Sequence, residues 1–87
     1  MKQVNVIKFY ADWCGPCRMM KPIYSQLSEV LGAVHFSEVN VDEDAATTEK
    51  YEVKTLPTIV VLEDDVEVRR HSGFMVTPQL QDLIKGD

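Results

Sequence analysis

At 87 residues, with 45% hydrophobic and 26% charged residues, the chain has the size and make-up of a single domain over 1–87, with a modest core and no room for a second. A net charge of -5 argues against nucleic acid as a partner, because phosphate binding wants a basic face. No apolar run approaches the roughly 20 residues of a membrane span, and Met1-Lys2-Gln3-Val4-Asn5 lacks the apolar core of a signal peptide, so a reducing, cytoplasmic setting is expected.

Val4 to Ala11 is an apolar run broken only by Asn5 and Lys8, the pattern of a central strand covered on both faces. Asp12-Trp13 leaves the strand, and Cys14-Gly15-Pro16-Cys17 leads into a helix over Arg18–Leu31. Pro16 suits the first turn, where its missing N–H costs nothing. Cys17, Met20, Tyr24, Leu27 and Leu31 recur at helical spacing, Ile23 and Val30 widen that stripe, and Met19 and Met20 read as core filler. Gly32 ends the helix.

Val34–Val41 reads as a second strand, polar enough at His35, Ser37, Glu38 and Asn40 to be an edge. Asp42 or Asp44 caps a short helix reaching about Tyr51, with Ala45, Ala46 and Tyr51 as its apolar contribution. After the loop Lys54–Thr58 come a buried strand, Ile59–Leu62, and its hairpin partner, Val66–His71, joined through Glu63-Asp64-Asp65. Aspartate tolerates the left-handed backbone that such a turn needs. Thr77-Pro78 opens a final helix as N-cap and first residue, and Leu80, Leu83 and Ile84 form its buried stripe. The order β-α-β-α-β-β-α predicts an α/β fold, with a right-handed βαβ crossover making the first two strands parallel and the hairpin adding an antiparallel pair.

The two cysteines, the only ones in the chain, lie at i and i+3 on the first turn of a helix, close enough for a small-ring disulfide. A helix N-terminus offers about half a positive charge and free N–H groups to a thiolate, so Cys14 is expected to ionise below the roughly 8.5 of a free thiol. Cys17 points toward the core, where burial disfavours its charged form. The expected division of labour makes Cys14 the more accessible, attacking thiol and Cys17 the resolving one. Gly15-Pro16 turns the backbone and stiffens the helix start, while Trp13 offers a flat apolar surface beside the thiol. A structural disulfide or half a zinc site is the bland alternative. Zinc needs four protein ligands in a structural site, and His35 and His71 stand apart, so no metal is expected.

The run Phe9-Tyr10-Ala11-Asp12-Trp13-Cys14-Gly15-Pro16-Cys17-Arg18-Met19-Met20-Lys21-Pro22 resembles a thioredoxin active site almost residue for residue. The likeness continues through Val39-Asn40-Val41-Asp42, Thr55-Leu56-Pro57-Thr58 and Gly73. It implies a minimal thioredoxin-like fold, a four-stranded mixed sheet flanked by three helices. The implied activity is reduction of protein disulfides by a Cys14/Cys17 dithiol–disulfide cycle, with electrons from a thioredoxin-reductase-type donor and no bound cofactor. A monomer is expected. The resemblance makes Pro57 a cis-proline against the disulfide, and lines a substrate groove with Leu56, Pro57, Gly73, Phe74, Trp13 and Pro16.

The chain departs from the family pattern in three places. It begins at the strand leading into the motif, without the usual preceding strand and helix. Lys8 stands where the family usually has a buried aspartate credited with proton transfer at the inner cysteine, and Glu38 stands where a lysine is often found. These two look like a swapped ion pair beneath Cys17 in which Glu38 takes over the carboxylate's role; the alternative has Lys8 snorkelling to water. Two other functions stand beside the leading one. One is a glutaredoxin-like reductase using glutathione, which the size favours and the WCGPC motif opposes. The other is a non-redox binding subunit of thioredoxin type.

Overall fold

The computed structural model describes residues 2–86. The chain runs β1 (Val4–Tyr10), α1 (Gly15–Val30), β2 (His35–Asn40), α2 (Ala45–Lys50), β3 (Thr58–Glu63), β4 (Val66–Ser72) and α3 (Thr77–Lys85). Among the described residues the strands form one sheet in the order β2-β1-β3-β4. β1 pairs parallel with β2 and antiparallel with β3, and β3 pairs antiparallel with β4. The polar strand is an edge of that sheet, and the two most apolar strands lie inside it, as their side-chain patterns require.

Alternation along the two central strands splits the core into two layers. On one face Val6, Ile59 and Val61 pack with Met20, Tyr24 and Leu27 of α1 and with Leu80 and Ile84 of α3. On the other, Phe9, Val60 and Leu62 pack with Tyr51, Val53 and Leu56. Tyr24 ties the first layer to the sheet: its hydroxyl lies 3.0 Å from the Val6 carbonyl and 2.5 Å from that of Ser37, bridging β1 and β2. Burial raises the pKa of this phenol, so it stays a donor. Tyr24→Phe leaves both carbonyls short of that donor and is expected to lower stability by about 1–2 kcal/mol, read from urea unfolding.

Several local expectations are corrected. α1 starts three residues earlier than Arg18, because the Cys14 sulfur itself caps it, accepting the Cys17 N–H at 3.2 Å. The buried stripe is Cys17, Met20, Tyr24 and Leu27, whereas Val30 and Met19 are 68% and 61% exposed. Both sit roughly 100° or more around the helix from the stripe, out of reach of the sheet. Asp44 caps α2, accepting the Thr47 N–H at 3.0 Å, but Ala45 and Ala46 are exposed. Six residues make under two turns, and this helix turns Thr47 and Thr48 inward. α3 is capped at Val76, one residue before Thr77, with the Gln79 side chain accepting the Val76 N–H at 3.1 Å; Leu83 is only half-buried.

The hairpin turn behaves as its aspartates suggest. Asp64 and Asp65 take φ of 51° and 69°, both left-handed, and close a tight β3–β4 connection. Reciprocal 2.9 Å bonds join Gln3 and Asp64, pinning this turn to the start of β1.

Candidate active site

The end of β1 delivers the chain to the start of α1, and the two cysteines occupy that junction. They are joined in a disulfide, with Cα atoms 5.2 Å apart. Both sulfur residues are nearly covered, Cys14 at 6% exposed and Cys17 at 3%, packed with Ala11, Tyr10, Val41 and Leu56. The expected contrast in exposure is therefore small. What separates the pair is the surroundings, since each cysteine lines a different cavity.

Cys14 opens on a groove of about 450 Å³ lined by Trp13, Gly15, Pro16, Val41, Thr48, Val53, Lys54 and Leu56. Trp13 is 68% exposed yet fixed, its indole N–H donating to the Asp42 carboxylate at 2.8 Å. Arg18 reaches back to the Asp12 carbonyl at 2.8 Å, closing the loop around the motif. A Cβ at Gly15 would meet nothing within 4 Å, so the backbone does not require glycine there.

Leu56-Pro57 is a cis peptide bond, as the resemblance implied, and Pro57 is buried. Gly73, at φ 105°, donates its N–H to the Pro57 carbonyl at 2.7 Å. Of the residues expected to line a substrate groove, Trp13, Pro16 and Leu56 surround the one beside Cys14. Pro57, Gly73 and Phe74 are not among its lining residues, because that groove runs toward α2.

Cys17 lines a separate cavity of about 350 Å³, with Lys8, Tyr10, Ala11, Asp12, Arg18, Lys21 and Glu38. Lys8 and Glu38 are directly paired in the β1–β2 register, and the Lys8 ammonium lies 3.7 Å from the Glu38 carboxylate. The swapped pair is thus formed, but its ends are unequal: the Lys8 side chain is 2% exposed and that of Glu38 42%. Lys8 does not snorkel. Its ammonium rests 5.0 Å from the Tyr24 ring centroid and 5.5 Å from that of Tyr10. Desolvation pulls the Lys8 pKa down, Glu38 pushes it back up, and Lys21 adds to the lowering.

Sequence reasoning missed the role of Asp42, read as a possible helix cap, and missed Val41, Thr48, Val53 and Lys54 as groove walls. Twenty-nine residues separate Asp42 from the indole it holds, and no local periodicity signals that contact.

A strand–helix junction bearing a CxxC disulfide, beside a cis-proline loop on a four-stranded mixed sheet, defines a thiol–disulfide oxidoreductase. Comparison with known proteins narrows the class. The family model described as thioredoxin matches residues 1–86. A thioredoxin of Chlamydia pneumoniae is 39% identical over 79 residues, covering 91% of this chain and 78% of that one. A thioredoxin of Mycoplasma genitalium is 37% identical over 82 residues, covering 94% and 80%. In structure, the thioredoxin of Fasciola hepatica superposes with a TM-score of 0.92 at 36% identity, covering 97% of this chain and 80% of that one.

The chain belongs to the thioredoxin family. It is a protein-disulfide oxidoreductase carrying a Cys14–Cys17 pair, and the comparisons favour neither the glutaredoxin-like nor the non-redox alternative. Family membership implies disulfide-bearing protein substrates and a reductase partner. Among the described residues no helix is long and apolar enough to cross a membrane.

Proposed function

We propose that this protein is a single-domain, monomeric electron carrier of the cytoplasm, reducing protein disulfides and recharged by a thioredoxin-reductase-type donor. The observation that carries the reading is the placement of the two cysteines: one helix start holds both, with Cys14 on an apolar groove and Cys17 on a separate, charged cavity.

The cycle follows. The Cys14 thiolate, facing the free N–H groups of α1, attacks one sulfur of a substrate disulfide; the other substrate sulfur leaves as a thiolate and takes up a proton. Cys17 then loses its proton and attacks the Cys14 sulfur. The mixed disulfide breaks, the Cys14–Cys17 bond forms, and the second substrate thiol departs. Two electrons pass to the substrate, and the reductase returns them. Trp13 and Pro16 form the apolar lip on which a substrate chain lies, and Leu56 the wall behind the sulfur. Pro57, Gly73 and Phe74, which do not line this groove, bind the substrate backbone beyond it. Lys8 and Glu38 support the resolving cysteine.

Coupled assays test the donor. Turnover of a disulfide-bonded protein substrate is expected with a thioredoxin reductase as electron source. Glutathione with its own reductase is expected to support at most about a tenth of that rate, since the Trp13–Cys17 motif is the one found in reductase-coupled thioredoxins. Faster turnover with glutathione overturns the reading.

A further inference from the structure

Exchanging the members of an ion pair is not neutral when one end is buried and the other is not. Here the covered position, in the cavity that Cys17 also lines, belongs to the cation. Lys8 projects from the middle of β1 into the cavity that Cys17 lines, wedged against the faces of Tyr10 and Tyr24, while Glu38 stands at the solvent end. Every element around the cavity contributes a charge or a titratable group. β1 supplies Lys8 and Tyr10, the loop after it Asp12, α1 Arg18, Lys21 and Tyr24, and β2 Glu38. Of the charged groups three are cations and two are carboxylates, and the covered one is a cation.

We propose that Lys8 is the positioning residue of the resolving step: its covered ammonium stabilises the Cys17 thiolate, and Glu38 holds that ammonium in place while partly offsetting its field. The proposal rests on the dithiol–disulfide cycle above and specifies how its second step is made possible. A buried thiol resists ionisation, but a cation in the same low-dielectric cavity favours the thiolate. In the oxidised protein, among the described residues, Glu38 and two rings offset the desolvation of Lys8, in line with its lowered pKa. Loss of the Cys17 proton gives it an anion. The two ionisations are therefore coupled, each charge favouring the other. When the Cys14–Cys17 bond forms, the thiolate is consumed and the ammonium is again undercompensated. Glu38 acts here as a counterweight, not as the acceptor of the Cys17 proton, which passes to solvent through the cavity.

The test reads Cys17 ionisation apart from turnover. In reduced protein carrying Cys14→Ser, the ultraviolet absorbance of the remaining thiolate is followed over about pH 6 to 10. Adding Lys8→Met is expected to raise the midpoint by about one unit, a tenfold loss of thiolate below it. Adding Glu38→Gln is expected to lower it, because the offsetting carboxylate is gone; adding Lys8→Arg keeps the charge and is expected to restore the Lys8 value to within about half a unit. Circular dichroism confirms that each variant is folded. A Lys8→Met midpoint equal to that of the parent, or a rise with Glu38→Gln, overturns the proposal. Failure of the cycle itself looks different: the otherwise unsubstituted protein would show no disulfide turnover whatever the midpoints do.

Discussion

Cys14→Ser removes disulfide reduction, lowering turnover by roughly a thousandfold or more, while Cys17→Ser stops the reaction one step later and leaves substrate covalently attached through Cys14. Serine oxygen cannot form a disulfide, so either change ends the cycle; the information lies in where each variant stalls. At the start of α1 the Cys14 sulfur already accepts the Cys17 N–H, a bond that strengthens when the acceptor is a thiolate. It also lines the groove that a substrate chain enters beside Trp13. Cys17 lies a helical turn on and faces the second cavity. Mass spectrometry under non-reducing conditions, after mixing with a disulfide-bonded protein, is expected to find a stable adduct with the Cys17→Ser variant and none with Cys14→Ser. Adducts of equal yield in both would show that the sulfurs are interchangeable. The small difference in their exposure makes that a demanding test.

The second large effect concerns stability and has the opposite sign from most substitutions. Lys8→Met is expected to stabilise the oxidised protein at pH 7 by about 1–4 kcal/mol. Methionine nearly matches lysine in length and keeps the packing against Tyr24. The partner left behind is not stranded, because Glu38 is 42% exposed and can be hydrated. The dependence on pH follows from the depressed Lys8 pKa. Well below it, lysine is charged in folded and unfolded chains alike and the cost of covering the charge is present in full. As pH rises from the folded-state value toward the unfolded one of 10.5, the folded protein sheds the proton while the unfolded chain keeps it, so parental stability climbs. The advantage of Lys8→Met is thus largest at neutral pH and shrinks through that alkaline window. Urea unfolding at several pH values measures it. A loss of stability with Lys8→Met would mean that Glu38 and the two rings outweigh desolvation.

Together the two Lys8 predictions describe a residue that costs the fold something and serves the chemistry. That is the usual sign of a charge retained for function. The same variant is expected to be more stable as the disulfide and poorer in thiolate as the dithiol. No simple packing residue produces that combination.

Much of this was legible in the residues alone. Alternation and helical spacing placed all seven elements, with boundary shifts of one to three residues, because those patterns are set by neighbours within a few positions. Gly15-Pro16 between two cysteines at a strand–helix junction announced the redox pair for the same reason. The burial misreadings arose where a local pattern was continued past the surface it packs on: Val30 and Met19 on α1, Ala45 and Ala46 on α2. Apolarity marks what can be buried, but only the sheet's extent decides what is.

The amino-acid sequence determined the order of strands and helices, the two-layer core and the chemistry of the sulfur pair, all of which follow from side-chain spacing and from what a thiol does at a helix start. Tertiary structure decided the rest: that Asp42 grips Trp13 across 29 residues, that the groove beside Cys14 runs toward α2, and that of Lys8 and Glu38 it is the lysine that is covered. These depend on strand register and on which face a neighbouring helix shields. Contacts between distant residues are products of the assembled sheet, and no stretch of the chain encodes them by itself.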